Sequence, residues 1–231
     1  MCRVCGCDDG PFHFHPRKIS LETDLLAKND QLARALRARL AAARITALNL
    51  IGAPGAGKTT LLEHTIRQLA DTALAVIEGD QATDHDARRI AATGCPVLQV
   101  NTGAGCHLDA AMIERGLQQL APAARSLVFI ENVGNLVCPA LFDLGERAKV
   151  VVMSVTEGED KPLKYPHVFR AASALVLTKA DLLPHLAVDP AHIVDNARRI
   201  QPDLQIFPVC SMRGEGLAEW CGWIRAQMEA A

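Results

Sequence analysis

The sequence predicts an α/β fold of three layers, with a mostly parallel sheet held between two layers of helices. Three observations carry this reading. From residue 44 onward, short apolar runs alternate with segments of helical periodicity. The runs are nearly continuous in apolar residues, as strands covered on both faces are, rather than alternating apolar with polar. The first run ends in a glycine-rich turn that leads straight into a helix pattern, the unit from which parallel crossovers are built. At 231 residues the chain can bury one substantial core and carry a small appendage. Apolar residues make up 49% of it and aromatic residues 4%, so Ala, Leu and Val must do the packing.

Taken in order, residues 1–20 carry Cys, Gly, Pro and His with little apolar pattern, and read as a flexible, Cys-containing N-terminal arm. Ser20 fits an N-cap, with Glu22 and Asp24 in the first turn, where the helix dipole favours anions. Leu21, Leu25, Leu32, Leu36 and Leu40 recur at helical spacing, predicting a helix over 21–43 with a break near Asn29–Asp30. Residues 44–231 form the main domain. Its predicted strands are "ITALNLIG", "ALAVIEGD", "PVLQV", "SLVFIE", "KVVVMSV", "SALVLTK" and "LQIFPVC". Its predicted helices cover 58–70, 82–93 (closed by Gly94), 107–120, 190–201 and 215–229.

The formal charge is −2, with basic residues dispersed, so nothing asks for nucleic acid or an anionic membrane surface. No apolar run is long enough to span a bilayer, and no charged-then-apolar leader opens the sequence. A cytoplasmic protein is expected, in which clustered thiols stay reduced and bind metal or do chemistry.

The turn after the first strand reads "GAPGAGKTT" and fits G-x-x-x-x-G-K-[ST], the phosphate loop that gives P-loop NTPases their name. Gly52, Ala53, Pro54, Gly55, Ala56, Gly57, Lys58, Thr59 and Thr60 are therefore the candidate phosphate site. The glycines let backbone N–H groups face a phosphate, Lys58 meets the β and γ oxygens, and Thr59 offers a hydroxyl to Mg²⁺. "LTKAD" follows a later strand and resembles the N-K-x-D guanine motif, with Lys179 and Asp181 in place and Thr178 where Asn is usual. An Asp there accepts hydrogen bonds from the guanine amino and imino groups and selects GTP over ATP. Thr178 is not expected to reproduce the amide's contact to the phosphate loop. Ser211, in "CSMRGEGL", is a candidate for the loop closing over the base. Asp80 and Glu131 each end a predicted strand at the edge where such sheets bind ligands, and either can meet Mg²⁺ directly or through water. Gly134 is placed to let a backbone amide approach the γ-phosphate.

Two groups of soft ligands stand apart from the phosphate loop. Cys138 lies seven positions beyond Glu131, so its thiol is tied to the segment that should sense the γ-phosphate. Cys106 and His107 open a predicted helix, a position that favours thiolate. Cys106, His107 and Cys138 can converge on Zn²⁺ or Ni²⁺, or stand as three unrelated half-buried residues, and spacing leaves both open. Neighbouring side chains often cannot face one ion, which a symmetric dimer would relieve by pooling ligands. At the start, "MCRVCGC" sets Cys2, Cys5 and Cys7 within six residues. With the α-amino group they can form a four-coordinate S₃N site, planar for Ni²⁺ or tetrahedral for Zn²⁺. Redox use of C-x-x-C is the rival reading. Cys95, Cys210 and Cys221 read as small core residues. His13 and His15 read as incidental.

"CRVCGC", "GAPGAGKTTLL", "EGDQATDHDARRI", "NTGAGCHLDA", "IENVGNLVCPALFDLGE", "EGEDKPLKYP" and "LTKADLLP" together resemble, in the same order, the blocks of the hydrogenase nickel-incorporation accessory GTPases of HypB type. These form a metal-chaperone branch of the P-loop GTPases. The resemblance implies a Mg²⁺-dependent GTPase that turns GTP into GDP and delivers Ni²⁺ to the apo large subunit of [NiFe]-hydrogenase. It implies a high-affinity nickel site at Cys2, Cys5 and Cys7, and a Ni²⁺ or Zn²⁺ site at Cys106, His107 and Cys138 at the interface of a GTP-dependent homodimer. Implied partners are the hydrogenase large-subunit precursor, the zinc-and-nickel-binding hydrogenase accessory protein and a prolyl-isomerase nickel chaperone. The alternatives are a urease or other metallocentre accessory GTPase, and a nickel or zinc storage or sensing protein.

Overall fold

The computed structural model describes residues 16–81, 83–103 and 105–230, with side chains from residue 24 onward. Seven strands form one sheet: β1 (Thr46–Ile51), β2 (Leu74–Asp80), β3 (Val97–Asn101), β4 (Leu127–Glu131), β5 (Ala148–Ser154), β6 (Ala174–Thr178) and β7 (Gln205–Val209). Their order is β3-β2-β4-β1-β5-β6-β7, and every pairing is parallel. The helices are α1 (Pro16–Ala42), α2 (Lys58–Gln68), α3 (His85–Ala91), α4 (Ala110–Leu120), α5 (Cys138–Leu141), α6 (Lys161–Lys164), α7 (Pro166–Ala171), α8 (Pro190–Ile200) and α9 (Leu217–Glu229).

Alternation along each strand divides the core between the sheet's two faces. Leu48 and Leu50 of β1, with Phe129 and Val150, meet Leu61, Leu62, Trp220 and Ile224 of α2 and α9. On the opposite face, Ala47, Ile77 and Val128 meet Leu36 and Leu40 of α1 and Ile113 and Leu117 of α4. On that same face Ile51, Val151 and Leu175 meet Val168 and Phe169 of α7 and Ile193 of α8. The expected three layers are present. β1, β4 and β6 are buried along their whole length and β2 and β5 nearly so, which is why these strands run as near-continuous apolar segments, whereas the edge strands β3 and β7 are only partly covered.

Four expectations about helices are corrected. No break occurs at Asn29–Asp30. Asn29 instead turns its amide into the fold, donating to the Asp143 carbonyl (2.8 Å) and accepting from the Ala110 N–H (2.9 Å). A side chain committed to distant partners does not compete with its own helix. Ser20 is not a cap, because the helix starts at Pro16, whose missing N–H costs nothing in a first turn. The helix expected over 107–120 starts only at Ala110, where the Asp109 carboxylate accepts from the Met112 N–H at 2.7 Å. The helix over 82–93 is likewise shorter, His85–Ala91.

Candidate nucleotide and metal sites

β1, β4 and β2 lie side by side, and their C-terminal ends open onto one cavity of ≈ 530 Å³. Pro54, Gly55, Gly57, Lys58, Thr59, Thr60, Asp80, Glu131, Gly134 and Lys179 all line it. Gly57 ends the loop with φ of 92°, a left-handed conformation natural to glycine, and α2 begins at the next residue. Lys58 is buried, and its ammonium donates to the carbonyls of Gly52 (3.2 Å) and Ala53 (3.4 Å). Burial lowers its pKa, against the pull of the Glu131 charge. Thr59 Oγ1 donates to Glu131 Oε1 at 2.8 Å. The other Glu131 oxygen is buried without a partner, and burial pushes this carboxyl up to about 7 despite Lys58 and Thr59. Asp80 accepts from the Thr83 hydroxyl at 2.7 Å and from the Gln81 N–H at 2.5 Å.

A second, smaller cavity of ≈ 290 Å³ shares Gly57, Thr60 and Lys179 with the first and adds Thr178, Asp181 and Ser211. The residues expected to read a base are thus gathered beside those expected to hold phosphates. Lys179 reaches back to the Gly55 carbonyl (2.9 Å). Thr178 corrects the sequence reading: its hydroxyl donates to the Ala56 carbonyl at 2.5 Å, so it does tie β6 to the phosphate loop. β6 brings Thr178 close enough for a short side chain to make the tie expected only of an amide. Asp181 bonds the buried Cys210 thiol, whose pKa is raised by burial first and by that carboxylate second.

The ligand atoms of Cys106, His107 and Cys138 lie within 4.8 Å of one another. Cys106 Sγ stands 2.8 Å from Cys138 Sγ and 3.7 Å from His107 Nδ1. One chain therefore brings all three together, and the two neighbours on one backbone do face one point. They sit before α4, not on it, so the predicted lowering of the thiol pKa by a helix end is corrected. The Cys106 thiol is pushed up, by its hydrogen bond with Cys138 first and by burial second. His107 stacks on Phe142, with centroids 3.8 Å apart, and burial lowers its pKa, keeping the neutral form that binds metal. Two soft sulfurs and an imidazole leave further positions on an ion open, a donor set suited to Ni²⁺ or Zn²⁺. Cys2, Cys5, Cys7, His13 and His15 lie outside the described residues. Cys95, Cys210 and Cys221 are buried, as expected of core thiols.

Residues 46–208 match the CobW/HypB/UreG nucleotide-binding domain. The chain belongs to the CobW/HypB/UreG family. Its HypB affinity is direct: it is 56% identical over 215 residues to the hydrogenase maturation factor HypB of Azotobacter chroococcum, covering 93% of this chain and 70% of that one. Among solved structures, hydrogenase maturation factor HypB from Archaeoglobus fulgidus superposes with a TM-score of 0.81 at 36% identity, covering 87% of this chain and 99% of that one. HypB from Helicobacter pylori, solved in complex with nickel, gives a TM-score of 0.82 at 34% identity, covering 88% and 96%.

Several residues of this CobW/HypB/UreG domain escape a reading of motifs. Glu78, Asp86, Arg89 and Asn132 line the phosphate cavity. Arg89 is held by Glu63 (2.6 Å) and Thr60 (2.9 Å) of α2. Asn132, beside Glu131, accepts from the N–H groups of Leu108 (3.2 Å) and Val133 (3.1 Å) and donates to Asn49 (3.3 Å). Asn135 donates to the Cys106 carbonyl at 3.2 Å. Residues 131–138 therefore grip the Cys106–Leu108 loop as well as ending in Cys138. Glu78 carried a signal that could have found it, namely a charge inside an apolar strand at the ligand edge. Asn132 and Asn135 carried none, because their partners are distant in sequence.

Proposed function

We propose that this chain is a cytoplasmic GTPase that delivers Ni²⁺ to the apo large subunit of [NiFe]-hydrogenase. The observation that carries this is the clustering of Cys106, His107 and Cys138 at the end of a short segment that starts with the buried Glu131 of the phosphate cavity. Kinship with HypB supports the client and the cargo, and a relative is known with nickel bound. The base cavity with Asp181 supports GTP over ATP. Thr59, Asp80 and Glu131 fit Mg²⁺: the orphaned buried oxygen of Glu131 and the neighbouring hydroxyl are hard donors facing the phosphate cavity. Bound there, the ion would neutralise phosphate charge. Asn132 and Asn135 provide the route by which a change beside Glu131 reaches the Cys106 loop. GTP then favours a dimer in which the metal pockets of two chains meet, and hydrolysis releases the ion. Zn²⁺ competes for the same thiolates, and Cys2, Cys5 and Cys7 form the high-affinity nickel site. The zinc-and-nickel-binding accessory protein and a prolyl-isomerase nickel chaperone are the partners that kinship suggests.

Intrinsic turnover is slow, about 10⁻⁴ to 10⁻² per second, as in unassisted GTPases. The two cavity residues of suitable type are engaged elsewhere: Gln81 donates to the Gly105 carbonyl and Arg89 is paired with Glu63. The deciding experiment measures nickel and zinc stoichiometry with GDP and with a non-hydrolysable GTP analogue, in the wild type and Cys138→Ala. The wild type is expected to change occupancy with the nucleotide, and Cys138→Ala to lose that response while keeping the arm's ion. Equal occupancy with both nucleotides in the wild type overturns the proposal.

A further inference from the structure

Lys149 and Glu146 are nearly out of water, with side chains 13% and 4% exposed, and neither lines a nucleotide cavity. Lys149 stands near the start of β5 and reaches α5. A buried ammonium needs protein acceptors in place of water. Lys149 Nζ finds them in the carbonyls of Ala140 (3.0 Å) and Phe142 (2.9 Å). A helix of one turn cannot satisfy its own last carbonyls, so an outside donor is called for. Cys138 is the first residue of that helix, and Phe142 is its cap and stacks on His107. One ammonium therefore holds both the segment that presents Cys138 and the ring that backs His107.

The same side chain joins a buried polar line. Asn49 of β1 is the parallel register partner of Lys149. Glu146 Oε1 lies 3.8 Å from Lys149 Nζ and accepts from the Asn49 amide at 3.2 Å, while Oε2 accepts from the Leu144 N–H at 2.6 Å. Asn49 is fully buried and accepts in turn from Asn132, whose own oxygen takes the N–H of Leu108, the residue after His107. The loop with Cys106 and His107 and the helix with Cys138 are thus fixed to the two ends of one line. Apolar residues would fill this space at a lower cost in desolvation. What a polar line adds is direction, which is what groups behind metal ligands supply.

We infer that Lys149 positions the metal ligands: its grip on Ala140 and Phe142 sets Cys138 against Cys106 and keeps the His107 ring turned to the same point. Without that grip the Cys138 thiol is no longer held in reach, and the ion loses a ligand.

The inference rests on Cys106, His107 and Cys138 binding nickel, and the test keeps the two apart. Nickel affinity and the nickel–thiolate absorption are measured on the full chain carrying Cys2→Ser, Cys5→Ser and Cys7→Ser, so that the arm does not contribute. In this background Lys149→Met is expected to bind Ni²⁺ roughly 10–100-fold more weakly, with an altered thiolate band. Lys149→Arg can still donate to both carbonyls and is expected to recover most of the affinity and the band. Affinity for a fluorescent GDP should match the parent in each variant. Nickel binding by Lys149→Met equal to the parent, or a loss that Lys149→Arg fails to restore, overturns the inference. A joint loss of nickel and GDP affinity marks a residue that only supports the fold, and overturns it as well. If Cys138→Ala binds nickel as tightly as the parent, the metal-site reading itself fails. Should Lys149→Met not fold because it strands the buried Glu146, the double variant Lys149→Met, Glu146→Gln removes both partners of the ion pair and is judged by the same affinity and band.

Discussion

A buried acid with a raised pKa ties stability to pH with a definite sign. Glu78 is pushed up to about 8 and Glu131 to about 7, burial being the first cause for both. Their carboxyls take up protons on folding wherever the unfolded chain is already ionised. The folded state then binds more protons than the unfolded one, and stability falls as pH rises. The window runs from the ordinary carboxylate value, about 4.5, up to about 8. The melting temperature of the nucleotide-free protein is expected to drop across this window. Glu78→Gln is expected to flatten the slope, by a few kcal/mol at most over the range. Calorimetry at a series of pH values checks this, and an equal slope in the variant refutes it. Thr178 makes a second prediction at this scale. Its hydroxyl is bonded to the Ala56 carbonyl and is 3% exposed, so Thr178→Val removes one buried bond and strands an acceptor. The expected cost is about 1–2 kcal/mol in stability, with weaker guanine nucleotide binding, and Thr178→Ser should restore both.

The element that matters most is the segment from the end of β4 to α5. Its Asn132 is 1% exposed and holds the Leu108 N–H, so Asn132→Ala leaves that donor buried and unpaired. The nickel–thiolate absorption of the Cys106 and Cys138 site is expected to stop responding to nucleotide in this variant, while nickel still binds. Asn132→Asp keeps the accepting oxygen and should keep the response. α1 carries a similar device: Asn29 joins the Asp143 carbonyl to the start of α4, and Asn29→Ala should cost roughly 1–3 kcal/mol in a denaturant titration. These cases show where the sequence was legible. The five inner strands could be read because both faces of the sheet are buried there, which leaves uninterrupted apolar runs, and the partly exposed edge strands β3 and β7 were still short apolar runs. The phosphate loop could be read because its spacing is itself the chemistry. Asn29 read as a helix break, and Asn132 as nothing, because what each does depends on a partner over 20 residues away, Ala110 at 81 and Leu108 at 24. Helix periodicity also carried 107–120 too far, since a local cap at Asp109 overrode it.

On the scale of the whole molecule, the sheet sets the candidate sites among the described residues along one edge, and two large apolar side chains at α5 are left exposed. Val137, which caps this one-turn helix, and Leu141, which ends it, are each 55% exposed and lie on either side of Cys138 in the chain. Two large apolar side chains in water beside a metal cluster cost solvation that contact with a second chain recovers. Phe142, the next residue after Leu141, stacks on His107 of the metal cluster. A dimer that forms when GTP is bound should therefore use this face. Leu141→Glu places a charge there without opening the core, since the side chain it replaces is already more than half in solvent. Sedimentation velocity with a non-hydrolysable GTP analogue and nickel should show the wild type as a dimer, and Leu141→Glu should dissociate at least tenfold more readily, about 1.4 kcal/mol. Nucleotide affinity at low protein concentration should be the same in both, because Leu141 does not line either nucleotide cavity. A variant that dimerises as well as the wild type would place the contact on some other face and would separate the exposed apolar pair from the metal site it flanks.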